Sequence, residues 1–130
     1  MSDVQSFAAA TSPVRRERLT VFVRGLKVEA GIGIYDHEQG RLQTLVIDVT
    51  LDLGAHPVER LSDTIDYQTI AASARAIAAE GHIGLVETFA ERLALQCLDD
   101  SRVERVVVRI EKPGALDGVD APGCELTYCR

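Results

Sequence analysis

The sequence predicts an α+β fold in the order ββααββ, a four-stranded antiparallel sheet carrying two helices on one face. Three observations point to it. Residues 45–53 alternate apolar and polar types with period two, the mark of a strand with one packed face. Two consecutive stretches after residue 66 repeat apolar residues at helical spacing. β-Branched runs lie near both ends of the chain, each bounded by glycine, proline or acidic turn residues.

Residues 1–17 mix small, polar and charged types without period and read as a flexible N-terminal tail, leaving one domain over 18–130. From Leu19 the run Leu-Thr-Val-Phe-Val-Arg-Gly-Leu-Lys-Val predicts the first strand. Gly31, Gly33 and the turn around Asp36–Gly40 follow; Gly31-x-Gly33 reads as a bend. In the second strand Leu45, Ile47, Val49, Leu51 and Leu53 form one file, with Val46, Asp48, Thr50 and Asp52 on the other. Pro57 and the polar stretch 59–63 make a connection. Ile70, Ala71, Ala74, Ile77 and Ala78 then predict a helix, with Asp66 as its N-cap and Gly81 as its stop. Val86, Phe89, Ala90, Leu93, Ala94 and Cys97 predict the second helix, antiparallel to the first. Residues 103–112 and 124–129 read as the closing strands, separated by a loop punctuated by Pro and Gly.

Composition narrows the function. A chain of 130 residues, 46% of them hydrophobic but with no Trp, can build one aliphatic core without staples. A net charge of −6 argues against nucleic acid or an anionic membrane as partner. No apolar run approaches the roughly 18 residues of a membrane helix, and the non-basic start with only Phe7–Ala10 apolar is no signal-peptide core. The three cysteines form no C-x-x-C pair and fit reduced thiols, so a cytoplasmic setting is expected. His37, His56 and His82 lack metal-ligand spacing, so no metal is expected. A four-stranded sheet has two open edges; closing them into a barrel with identical copies would remove them, whereas short charged edges would leave a monomer.

Four residues at element boundaries are candidates for chemistry. Lys112 continues the apolar file of Val106, Val108 and Ile110. It fits either a desolvated acid/base group or a strand-end lysine reaching for water. Glu87, in the first turn of the second helix, fits either a helix-dipole carboxylate or an acceptor for paired N–H donors. Tyr67 fits either a half-buried packing residue or a proton-relaying hydroxyl. Glu38, within Tyr35-Asp36-His37-Glu38-Gln39-Gly40, reads by itself as a solvated loop acid. No phosphate-binding glycine loop or nucleophile elbow is present.

Four segments then fall into a pattern: Gly33-Ile34-Tyr35-Asp36-His37-Glu38-Gln39, Ser62-Asp63-Thr64-Ile65-Asp66-Tyr67, Leu85-Val86-Glu87-Thr88-Phe89-Ala90-Glu91 and Glu111-Lys112-Pro113-Gly114-Ala115. In this order and spacing they resemble the motifs of the dihydroneopterin aldolase family over about residues 19–130. The resemblance implies a tunnelling-fold (T-fold) subunit, with four copies closing a β-barrel and two rings stacking into a homo-octamer. It implies an active site between subunits and metal-free, cofactor-free retro-aldol cleavage of a pterin substrate. Glu87, helped by the Val86 backbone, would hold the pterin; Tyr67 of the neighbouring subunit would line the pocket and relay a proton. Lys112 would be the acid/base residue, and Glu38 would meet the substrate near its reacting side chain. Glu125 stands where the family more often has a small residue, and the loop 114–122 is slightly long. The competing readings are a 2′-epimerase acting on dihydroneopterin or its triphosphate, and a non-catalytic pterin-binding barrel protein.

Overall fold

The computed structural model describes residues 13–130. The first twelve positions of the expected N-terminal tail lie outside the described residues; 13–17 form neither helix nor strand. The observed order is β1 (Thr20–Ala30), β2 (Gln43–Asp52), α1 (Tyr67–Ala79), α2 (Val86–Leu98), β3 (Arg105–Glu111) and β4 (Gly123–Cys129). Two single turns of 3-10 helix, Asp36–Glu38 and Leu61–Asp63, punctuate the loops.

The four strands form one antiparallel sheet in sequence order, β1-β2-β3-β4. Period-two alternation sets its faces. Ile47, Val49 and Leu51 of β2 register with Ile110, Val108 and Val106 of β3, and these residues, with Leu45, are fully buried beneath the helices. The opposite face carries Lys27, Asp48, Thr50 and Arg109. There Arg109 pairs with Glu111 at 3.3 Å and Glu125 at 3.5 Å, so Glu125 faces away from the core. Phe22, opposite Thr50 on the edge strand β1, is exposed on this polar face. The register slips between Val23 and Leu26, where Gly25 adopts φ 74° and donates its N–H to Asp48 Oδ1 at 2.7 Å.

Helix α1 starts where expected: the Asp66 carboxylate accepts from Gln68 N at 2.9 Å, satisfying a free N-terminal amide. It packs on β1, while α2 packs on β3 and β4. Ile70, Ala74 and Ile77 of α1, with Phe89, Ala90, Leu93 and Ala94 of α2, complete the aliphatic core. The joint between the helices is fastened to the continuation of β1: Ile83 N donates to Gly31 O and Gly33 N to Ile83 O, each at 3.0 Å. That bridge brings the end of α1, the start of α2 and the segment after β1 to one end of the sheet. No helix among the described residues is long and apolar enough to cross a membrane.

Candidate active site

At this end the chain forms a cleft of about 420 Å³, lined by Tyr35, His37, Glu38, Val86, Lys112, Ala115, Leu116, Pro122 and Gly123. Three elements supply its chemistry: the turn after β1, the first turn of α2, and the first residue after β3.

The turn contributes Glu38, and here the structure corrects the reading of a solvated loop acid. Its side chain is 5% exposed, and its carboxylate accepts from Lys112 Nζ at 2.6 Å and Gln43 Nε2 at 3.0 Å. Tyr35 N donates to the other oxygen at 3.3 Å. The ammonium of Lys112, then the amide of Gln43, hold this carboxyl down at about 2, against the opposing effect of burial. Glu38 is therefore an anion throughout the neutral range.

Gly33 makes that burial possible. Its φ of 122° suits glycine alone, and a Cβ there would overlap the Glu38 carboxylate. The bend expected at this glycine is thus also a wall of the site. Its carbonyl accepts from His82 Nε2 at 2.7 Å and from Gln39 Nε2 at 3.1 Å, locking the turn to the helix joint. Tyr35 and His37 stack above it, ring centroids 5.8 Å apart.

Lys112 follows the file of Val106, Val108 and Ile110 as its parity requires, and only 17% of its side chain is exposed. It is no lone desolvated ammonium and no snorkelling strand end, because its charge is matched by Glu38, 74 positions earlier. Pro122 O accepts the Lys112 backbone N–H at 2.9 Å, and Lys112 O accepts from Ala115 N at 3.2 Å. The β3–β4 loop therefore folds back over the cleft, and its Ala115, Leu116 and Pro122 line the wall.

Val86 borders the same cleft, and Glu87 beside it is solvent-exposed at the start of α2; burial, and after it the Glu87 charge, push the Cys124 thiol up. Burial alone pushes the Cys97 thiol up to about 11. Among the described residues no group of three or more His, Cys, Asp or Glu could hold a metal ion.

Tyr67 does not join them. It opens α1 at the opposite end of the sheet and is 61% exposed, so it is not a half-buried packing residue. The thirteen residues of α1 separate it from the cleft end, and a helix of that length spans roughly 20 Å. Within one chain Tyr67 cannot reach Lys112. Sequence reasoning missed Gln43 and the walls at Gly33, Ala115, Leu116, Pro122 and Gly123. The Gln43 amide bridges Glu38 and Ile32 O, a role that only the folded register reveals.

Comparison with known proteins gives a single family. The dihydroneopterin aldolase family model matches residues 21–127. A dihydroneopterin aldolase of Streptomyces coelicolor is 36% identical over 98 residues, covering 73% of this chain and 82% of that protein. The structure of Escherichia coli dihydroneopterin aldolase in complex with neopterin superposes with a TM-score of 0.74 at 26% identity, covering 84% of this chain and 97% of the other. A Burkholderia thailendensis dihydroneopterin aldolase bound to guanine gives 0.76 at 30% identity, covering 88% and 93%. With three of the four motif segments meeting at one cleft, and a family match over nearly the whole sheet, the chain belongs to the dihydroneopterin aldolase family.

Proposed function

We propose that the cleft binds the pterin ring of 7,8-dihydroneopterin. There the enzyme carries out the retro-aldol step of folate biosynthesis, releasing 6-hydroxymethyl-7,8-dihydropterin and glycolaldehyde. The observation that carries this is the Lys112–Glu38 pair, 2.6 Å apart in the wall of a cleft bordered by Val86. The family members solved with neopterin and with guanine support the ligand class, since both heterocycles present an amino group beside a ring N–H.

Retro-aldol cleavage needs an electron sink and two proton transfers. The dihydropterin supplies the sink, a C=N bond next to the carbon chain being cut, so the protein needs to orient the substrate and move protons. A base removes the side-chain hydroxyl proton, the carbon–carbon bond breaks into the C=N system, and the carbon left on the ring is reprotonated. Lys112 is the acid/base group of this reading. Glu38, held as an anion, aligns Lys112 and meets the reacting side chain; its low affinity for protons makes it a poor base at neutral pH. Glu87, exposed at the start of α2, accepts the paired N–H donors of the pterin with Val86 at its side.

Because Tyr67 lies at the far end of its own chain, a neighbouring subunit supplies it, and the site is completed by assembly. The open edges β1 and β4 give the means: pairing them around a ring closes a barrel, and two tetrameric rings make the octamer. The cytoplasm is the compartment this reading assigns, with its three thiols free. Incubating the protein with 7,8-dihydroneopterin and assaying glycolaldehyde tests the assignment. Stoichiometric release with the hydroxymethyl pterin is expected; an epimerised substrate with no aldehyde would reject the lyase.

A further inference from the structure

The segment between β2 and α1 has no regular structure apart from one turn, Leu61–Asp63, yet it must deliver Tyr67 to a second chain. Its outward side exposes two large apolar residues six positions apart, Leu61 at 68% and Tyr67 at 61%. Asp63 closes the turn by accepting from Glu59 N and Arg60 N at 3.2 Å each. What ties the turn to the body of the protein is Arg102, forty positions later. Its Nη1 donates to Ser62 O at 2.9 Å.

Arg102 is itself held in a fixed pose. Its Nε donates to Asp100 Oδ1 at 3.0 Å and its Nη2 to Asp100 Oδ2 at 2.6 Å, a two-pronged pair reinforced by its backbone N–H on Oδ1 at 3.0 Å. The loop bearing Asp100 is anchored in turn by Arg130, whose Nη2 donates to Asp100 O at 2.9 Å and whose Nε donates to Val103 O at 2.8 Å. Leu98 O also accepts from Arg130, at the end of α2. The guanidinium of Arg102 thus joins the C-terminal end of α2 to the turn preceding Tyr67, far from the cleft of its own chain.

We infer that Arg102 is a positioning residue for the active site of the neighbouring subunit: it clamps the Leu61–Asp63 turn so that Leu61 and Tyr67 are presented to that subunit's cleft. This rests on the reading that Tyr67 is supplied between chains. Arg102 touches neither substrate nor reacting atoms. Its effect is directional, weakening the half-site its own chain offers to a neighbour while leaving the Glu38–Lys112 half intact. A planar fork making two bonds to Asp100 and a third to Ser62 cannot be replaced by a lysine ammonium.

Subunit mixing tests this in the full-length protein. Arg102→Ala alone is expected to lose turnover by roughly 10- to 100-fold, the scale of a misplacement near 1 Å. Co-assembled Lys112→Ala and Tyr67→Phe chains should regain activity, because in a randomly mixed ring about one quarter of the interfaces pair two intact halves. Arg102→Ala should regain activity in the same way with Lys112→Ala, and stay low with Tyr67→Phe. Failure of the Lys112→Ala and Tyr67→Phe pair would reject the shared site itself. Success of that pair with recovery of Arg102→Ala by Tyr67→Phe, by both partners or by neither, would overturn the clamp, as would parent-like turnover of Arg102→Ala. Should Arg102→Ala not fold, Arg102→Lys, which keeps the charge and loses the fork, enters the same three mixtures with the same expected pattern.

Discussion

Glu38 owes its charge to its neighbours, and that dependence reaches both stability and rate. Its folded value of about 2 lies below the ordinary 4.5, so the unfolded chain binds its proton more tightly. The stabilisation is complete above about pH 4.5 and is lost as pH falls through the folded value near 2. Glu38→Gln leaves the Lys112 ammonium without its counter-charge, an expected loss of about 1–3 kcal/mol at pH 7. Thermal unfolding of parent and variant should show a gap that closes between pH 4.5 and 2; a gap independent of pH would mean the carboxylate is not coupled to folding. For Lys112 the test is kinetic. Lys112→Ala should lower single-turnover cleavage by about 10²–10⁴-fold while neopterin affinity measured on the same sample largely survives. Lys112→Arg should not rescue, since a guanidinium keeps its proton. Cleavage within a few-fold of the parent would remove Lys112 from the proton path. Lys112 was legible from strand parity, whereas Gln43 and Gly33 were not. Their roles lie in contacts with Glu38 that exist only once the turn closes and β2 is in register.

The elements matter through where their ends meet. Strand β1 continues into the turn that carries Glu38, α2 begins beside it at Val86, and β3 ends at Glu111, one residue before Lys112. The bridge from Gly31 and Gly33 to Ile83 ties the first two together, so the helix joint is part of the site's frame. At the other end, α1 depends on its cap. Asp66→Ala removes the acceptor for Gln68 N and should cost about 1 kcal/mol, read as a lower urea midpoint and largely recovered by Asp66→Asn. An unchanged midpoint would mean the helix start is held by packing of Ile65 and Ile70 alone. Both α-helices and β2 were legible because one buried face imposes a period on the residues that form it, and the other strands from their β-branched runs. The Val23–Leu26 slip in β1 was not, since it depends on Gly25 meeting the Asp48 carboxylate across the sheet. The clamp at Arg102 was equally hidden, a charged residue in a turn whose partner lies forty positions earlier.

For the whole molecule the decisive fact is polarity along the sheet. Glu38, Val86 and Lys112 gather at one end and Tyr67 stands at the other, while β1 and β4 leave their outer backbone groups unpaired at the edges of the sheet. A tetramer or larger species is expected by light scattering at assay concentration, and an active monomer there would reject a site made between chains. If the site is completed between chains, as proposed, the separation of its two halves within one folded chain also carries a consequence for supply. Activity becomes a matter of mass action: every copy can be folded while the population is idle, if copies are too dilute to meet. Output then rises more steeply than copy number when expression is low and only becomes proportional once assembly saturates. On that reading, the distance between Tyr67 and Lys112 along one subunit would act as a threshold on gene dosage.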